Sequence, residues 1–275
     1  MIEIPESRTI AGQLNETVYG KKIVEVDAAH SPHSFAWYVG DPAEYASMME
    51  GRVVGKAVGI GSMVELKLDD LSFTVGDGTN IRYYGAEEKI PDKYQTRITF
   101  EDDSSLICTV QMYGSMLLFD PKVYDNPYYW VGKQKPMPGT SGFTMDYFRG
   151  LLTNGTSKLS TKAFLATQQR IPGLGNGVLQ DILLTAGLHP KRKMDTLSEV
   201  ELDCLYDTVV SVLTDMTKLG GRDTEKDLFG HVGGYQTKLS KNTKGYCPIC
   251  GGPVQKMAYM GGSVYICENC QPLIK

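Results

Sequence analysis

The chain has 275 residues, enough for about two domains, and its 41% hydrophobic and 22% charged residues are those of an ordinary globular protein. Lys and Arg total 28 against 32 Asp and Glu, a formal net charge of −4, which excludes a surface coated in positive charge for indiscriminate phosphate binding. No apolar run approaches the roughly 18 residues of a membrane span. The opening Met1-Ile2-Glu3-Ile4-Pro5-Glu6 lacks the basic-then-apolar pattern of a secretory signal, so the expected compartment is the cytoplasm, nucleoid-associated in a bacterium, with no membrane partner.

In chain order, Pro5-Glu6-Ser7-Arg8 opens a helix, with proline at an early position and an acid at the positive end of the dipole. Ile10 and Leu14 share one face of it. From Val18 to about Phe119 the pattern becomes short apolar or alternating runs divided by Gly and Asp clusters: 22–26, 55–67, 71–75, 80–84, 97–100, 105–111 and 114–119. Residues 100–105 read as a hairpin turn. This predicts an antiparallel sandwich or barrel with a helix in front. Residues 120–156, with several Pro, Gly, Tyr and Asn, read as a connection between domains. Helices are expected at 161–169, at 177–186 and from Ser198, where Ser198 and Glu201 make a capping box, to Gly220-Gly221. Cys108 and Cys204 sit singly within apolar patterns and read as buried thiols.

Charge is uneven along the chain. Residues 1–154 hold 14 basic and 21 acidic groups, and residues 155–275 hold 14 and 11, so a polyanion should meet the second half first. That half contains Lys238, Lys241 and Lys244 just ahead of two CxxC pairs, Cys247/Cys250 and Cys267/Cys270, separated by sixteen residues. Each pair forms a knuckle aiming two thiolates at one centre, and two knuckles supply the tetrahedral four-sulfur set of structural Zn²⁺. Disulfides and a redox pair are the competing readings, the first disfavoured in the cytosol. His30, His33, His189 and His231 show no metal spacing. Ile171-Pro172-Gly173-Leu174-Gly175-Asn176 runs into the helix at 177. Glycines permit close backbone approach, and the free N–H groups of a helix start can bind phosphate; a plain tight turn with an N-cap fits equally.

In this order, the acidic first helix, β-rich domain, Ile-Pro-Gly-Leu-Gly-Asn turn and C-terminal CxxC–x16–CxxC resemble the formamidopyrimidine-DNA glycosylase/endonuclease VIII family over nearly the whole chain. The resemblance implies an α+β fold: a leading helix with a β-sandwich over 1–120, a linker over 121–156, a helix-two-turns-helix domain over 157–240 and a four-cysteine zinc-finger β-hairpin over 241–275. It implies a monomer that clamps double-stranded DNA at a lesion or abasic site, flips the damaged base, cuts its glycosidic bond and then cleaves the strand. Matched residue by residue, Glu3 and Glu6 take the places of the catalytic acids and Lys56 that of the β-domain lysine. Asn176, Lys158 and Lys162 match DNA-contacting positions, with Gly173 and Gly175 in the turn. Lys241 and Lys244 would add phosphate contacts. Cys247, Cys250, Cys267 and Cys270 match the zinc ligands.

The departures fall on parts that meet the lesion. The family nucleophile is an N-terminal proline amine exposed by removal of methionine; here the position is Ile2, before which methionine is expected to stay. The Met1 amine would then lie about 3.5 Å of extended chain beyond its usual place, a displacement that near-attack geometry tolerates poorly. Gly262 stands where the finger arginine belongs, Asp77 where the intercalating methionine belongs, and Gln111 and Tyr113 where the family has arginine and phenylalanine. Gln111 can still hydrogen-bond a base and Tyr113 can still stack. Two functions are therefore expected in competition. One is a glycosylase, with or without lyase action, using the Met1 amine, Lys56 as Schiff-base amine or water activated by Glu3. The other is a silent module recognising abasic or distorted DNA. Glu3 and Glu6 also fit as mere caps of the first helix, and Lys56, Lys158 and Lys162 as solvated charges.

Overall fold

A computed structural model describes residues 1–243 and 245–274. Helix α1 (Ile4–Thr17) is followed by β1 (Ile23–Ala28), β2 (Ala36–Trp37), α2 (Tyr45–Met49), β3 (Val54–Ile60), β4 (Met63–Leu68), β5 (Leu71–Gly76), β6 (Thr79–Tyr84), β7 (Thr96–Phe100), β8 (Ser105–Val110) and β9 (Gly114–Phe119). These strands form two sheets, β1-β7-β8-β6 and β2-β9-β5-β4-β3. Inward residues of both, including Ile23, Ile98, Leu106, Leu66, Phe73 and Met116, share one core with Ile10 and Leu14 of α1. The arrangement is the expected sandwich. The apolar run at 55–67 divides into β3 and β4 because Gly61, at φ +58°, turns the chain between them.

Strand β3 is a sheet edge, and α1 covers it. Asn15 supplies the missing partners, its amide donating to Ala57 O and accepting from Ala57 N, both at 2.8 Å. This is one way to keep an edge from pairing with another chain. Gly59 permits the approach, since a Cβ there would lie 2.8 Å from the Ser7 carbonyl carbon.

The stretch read as a bare connection contains α3 (Pro127–Gln134) and α4 (Met145–Gly150), each started by a side-chain cap, Asn126 and Thr144. Helix α3 is fastened to the sandwich by Glu65, fully buried on β4, which accepts from Tyr129 (2.6 Å), Ser72 (2.8 Å) and Lys133 (2.5 Å). Burial alone would raise this carboxyl; the three donors outweigh it and hold it below the usual range.

Then come α5 (Thr161–Ala166), α6 (Asn176–Thr185) and α7 (Glu199–Lys218). The Ser198–Glu201 capping box is present, with Arg192 clamping Glu201 at 2.6 and 2.8 Å. Leu179, Ile182 and Leu183 of α6 pack on Leu205, Val209 and Leu213 of α7 and on Phe164 of α5. Cys108 is buried in the sandwich, but Cys204 is exposed: it falls off the 202-205-209-212 stripe that α7 buries. Strands β10 (Gln255–Tyr259) and β11 (Gly262–Ile266) form the terminal hairpin, which docks on α6 through Leu184 and the Tyr265 N–H to Gln180 bond (2.7 Å). Among the described residues, no helix is long and apolar enough to cross a membrane.

The N-terminus joins the two lobes. Ile2 is buried in the sandwich core, while Ile4, two residues on, is buried in the helical core. Glu3 lies between them.

Candidate nucleic-acid interface

Backbone geometry at the lobe junction follows from Glu3. It is 5% exposed and serves as N-cap of α1, where its own N–H donates to Glu6 at 3.1 Å. Its carboxylate crosses to the other lobe and accepts from the N–H groups of Gly177 and Val178, both at 2.9 Å, in the first turn of α6. The anion at this positive helix end is thus supplied by the chain itself. The glycines of the turn serve the same closure. A Cβ on Gly175 would lie 2.6 Å from Glu3 Cδ, and one on Gly173, at φ +78°, would lie 2.2 Å from the Gly61 carbonyl carbon. Close backbone approach was expected here toward phosphate; its partners are Glu3 and the β3–β4 turn.

Arg222, which the sequence reading passed over, neutralises the acids. It is 2% exposed and grips Glu6 with Nε (2.9 Å) and Nη2 (2.8 Å), reaches the Met1 carbonyl (3.2 Å) and lies 3.5 Å from Glu3. The two carboxyls diverge. Burial dominates at Glu3 and raises it despite Arg222. Burial is also the largest influence on Glu6, but the contacts from Arg222 together prevail and lower it. Gly177 accommodates this guanidinium: a methyl group there would sit 1.6 Å from Arg222 Nη1. The only sequence cue was a basic residue directly after the Gly220-Gly221 helix stop.

The remaining expected residues divide by location. Ile2 buries its side chain, leaving Met1 about half exposed with its amine ion-paired to Glu225. Met1 borders an open cavity of about 310 Å³ shared with Arg82, Gln111, Tyr113, Thr224 and Lys226. A second cavity of about 460 Å³, sharing Thr224 and Glu225 with the first, runs past Asn176, Lys241, Lys256 and Ser263. Met1, Gln111, Tyr113, Asn176 and Lys241 therefore line one continuous groove across the lobes, to which Glu225 contributes a half-buried carboxylate and Arg82, Lys226, Lys241 and Lys256 the cations. Asn176 donates to Ser263 O in the hairpin (2.9 Å), and its Oδ1 is buried without a hydrogen-bond partner among the described residues. Gly262, 3.8 Å by its notional Cβ from the Asn176 side chain, offers no side chain there.

Other residues stand outside this groove or are occupied within the fold. Lys162 is 4% exposed and donates to Tyr259 O at 2.7 Å, tying α5 to the hairpin; burial lowers its ammonium. Lys238 donates to Thr185. Lys158 and Lys56 are exposed, and Lys56 has no ion-pair partner among the described residues. Lys244 lies outside the described residues. Asp77, at φ +55° in the β5–β6 turn, accepts from Ser115 at 3.2 Å. The apolar groups exposed near that turn are instead Met112, 75% exposed, and Trp37, whose ring is tilted on Tyr113 at 5.9 Å.

The four knuckle cysteines converge, their sulfurs all lying within 4.8 Å of one another. Backbone N–H groups of Ile249 and Gly252 point at Cys247 and Cys250 sulfur, each at 3.4 Å, and the Gly252 N–H lowers the Cys250 thiol to about 7. A closed four-sulfur set with such donors fits a tetrahedral structural metal ion.

Residues 135–227 match the family model described as formamidopyrimidine-DNA glycosylase H2TH domain. Formamidopyrimidine-DNA glycosylase of Listeria innocua is 28% identical over 281 aligned positions, covering 98% of this chain and all of that protein. The Streptococcus pneumoniae enzyme of the same name is 26% identical over 98% of this chain and 99% of its own. Among solved structures, the Lactococcus lactis protein in complex with DNA containing an abasic site superposes with a TM-score of 0.83 at 22% identity, covering 98% of this chain and 99% of that one. The same protein with N7-benzyl-Fapy-dG DNA gives 0.84 at 22% identity, with the same coverage. Full-length coverage by these relatives, the matching helical segment and the converged four-cysteine hairpin make this chain similar from end to end to the formamidopyrimidine-DNA glycosylases.

Proposed function

We propose that the protein binds DNA carrying a lesion or abasic site along the groove between its lobes and reacts with the damaged sugar through the Met1 amine. The observation that carries this reading is the position of that amine: it lies in the groove beside the Glu225 carboxylate, which can take its proton. Of the alternatives, Lys56 is solvated without a partner, and Glu3 is buried with both oxygens engaged by α6, which leaves no route for it to activate water. In the step envisaged, Glu225 takes a proton from the Met1 ammonium. The neutral amine adds to C1′ of the ring-opened abasic sugar, and the resulting carbinolamine loses water to give an iminium. Asn176, Lys241 and Lys256 would hold flanking phosphates. Zinc is the ion we assign to the four cysteines, holding the hairpin against α6 so that Ser263 meets Asn176. The opposed reading is a binder without chemistry, favoured by the ion pair that already occupies the Met1 amine.

Borohydride trapping on an abasic duplex decides between them. A covalent adduct that peptide mass mapping places on Met1, absent when the terminal amine is acetylated and reduced about tenfold or more in Glu225→Gln, supports the proposal. Salt-sensitive binding of the same duplex without an adduct establishes the silent module. An adduct mapped to Lys56 overturns the assignment of the nucleophile.

A further inference from the structure

Asp77 borders a cavity of about 560 Å³ that shares no lining residue with the groove. Its volume is that of a small-molecule pocket. Five aromatic side chains line it, Trp37, Tyr38, Tyr124, Tyr128 and Tyr129, and the Asp77 carboxylate is the one group on its walls that is charged at neutral pH. The tyrosine hydroxyls are engaged elsewhere. Tyr38 donates to Gln95 O and Tyr129 to Glu65, while Tyr124 accepts from Asn126 (2.9 Å) and Tyr128 from Gln169. What they leave to the cavity is chiefly ring surface. Asp77 is partly buried and accepts one hydrogen bond, from Ser115 at 3.2 Å; no Lys or Arg lines the cavity, and no cation pairs with Asp77 among the described residues. Burial raises its carboxyl, the Ser115 bond opposing, as befits an acid with no counter-charge.

An unpaired carboxylate among aromatic rings selects its ligand first by charge. A neutral molecule would leave the carboxylate desolvated and uncompensated, whereas a cation is attracted both by Asp77 and by the negative faces of the rings. Shape selects next. An ammonium is compact and strongly hydrated, and its three donors point in three directions where Asp77 is the single anionic acceptor. A guanidinium is planar and more weakly hydrated; it can send two parallel N–H groups to one carboxylate and lay its flat face on an aromatic ring. We propose that this cavity binds a guanidinium group, forked onto Asp77 and stacked among the rings. Trp37 and Tyr128 are about half exposed, so the cavity opens to solvent beside them and the chain that carries the group can leave there. A free arginine-like molecule and an arginyl side chain of a peptide share this chemistry. The proposal stands on the cavity alone and is independent of the DNA reading above.

Titration calorimetry on the whole protein with butylguanidinium, butylammonium and butylurea reads charge and shape separately. Butylguanidinium should bind saturably at millimolar concentration or below. Butylammonium, which has the charge without the planar fork, should bind about tenfold more weakly. Butylurea, which has the planar shape without the charge, should give no measurable binding. Asp77→Asn keeps the size of the side chain, can still accept from Ser115 and suits the left-handed backbone at this position. It should lose at least about tenfold in butylguanidinium affinity while its melting temperature stays near that of the parent. Trp37→Leu, at a half-exposed position, should lose severalfold through the missing ring. Free arginine and the blocked peptide acetyl-Gly-Arg-Gly-amide then distinguish the sources: tighter binding of the peptide assigns a protein partner, and tighter binding of free arginine a small molecule. Equal affinity for butylammonium and butylguanidinium, butylguanidinium affinity unchanged in Asp77→Asn or in Trp37→Leu, or no saturable heat by about 10 mM butylguanidinium overturns the proposal.

Discussion

Replacing Arg222 by methionine tests the junction most sharply. The substitution keeps an unbranched side chain of similar length but removes the cation that grips Glu6 at 2.8 and 2.9 Å and faces Glu3 at 3.5 Å. Both carboxylates stay buried, 5% and 4% exposed, with only backbone N–H donors left. Breaking a buried ion pair from one side costs about 3–5 kcal/mol, a large part of the 5–15 kcal/mol typical of whole proteins. At roughly 2–4 °C per kcal/mol the melting temperature should fall by about 6–20 °C at pH 7. The sign with pH follows. Without Arg222 both carboxyls should titrate above their unfolded values, so the deficit against the parent is full above those raised values and shrinks as pH falls toward about 4.5. A double variant, Glu6→Gln with Arg222→Met, should be more stable than Arg222→Met alone, by a coupling of about 1 kcal/mol or more. Thermal melts of the parent, Arg222→Met, Glu6→Gln and the double variant at pH 7 and 4.5 are the assay. A deficit under about 1 kcal/mol, or one that does not change with pH, refutes the view that Arg222 exists to neutralise these acids.

Acid should weaken the parent too: Glu6 and Glu65 are held low and Glu201 is lowered to about 2, chiefly by Arg192, so their stabilisation is present above about pH 4.5 and is lost as pH falls toward 2; melts from pH 4.5 to 2 will show the decline. Elemental analysis should find one zinc per chain, and Cys267→Ser or strong chelation should unfold the hairpin, seen as selective proteolysis after residue 240 with the sandwich intact. Ile2→Pro removes apolar atoms from the sandwich core at a cost of about 1–3 kcal/mol and lets methionine be trimmed; intact mass should read one methionine lighter, and borohydride adducts with abasic DNA should rise. Gly177→Ala should destabilise through its collision with Arg222, whereas Gly12→Ala, where nothing lies within 4 Å of the new methyl group, should be neutral or slightly stabilising.

Local chemistry announced itself well in this chain. Alternation and Gly/Asp punctuation marked most of the strands, Ser198 and Glu201 announced α7, and the two CxxC pairs announced four sulfurs that do converge. What escaped depends on distant partners. The Gly-Leu-Gly turn looks open for phosphate until Glu3, 174 residues away from Gly177, is seen to occupy it. Lys162 has the composition of a phosphate ligand, yet its ammonium is consumed by a carbonyl 97 residues on. Arg222 had no motif at all; its meaning arises from burial between two acids. Helices α3 and α4 hid in a stretch rich in Pro, Gly and Asn because those same residues can cap short helices as readily as break them.

Ile2 and Ile4 act as a rivet. With one driven into each lobe, the two halves cannot slide past one another without extracting a branched side chain from close-packed surroundings, at a cost of several kcal/mol. Any relative movement of the two lobes must therefore hinge at this stitch. Extra residues fused ahead of Met1 would emerge into the groove itself, so a cleavable leader placed there would work as a plug, and its removal as a release.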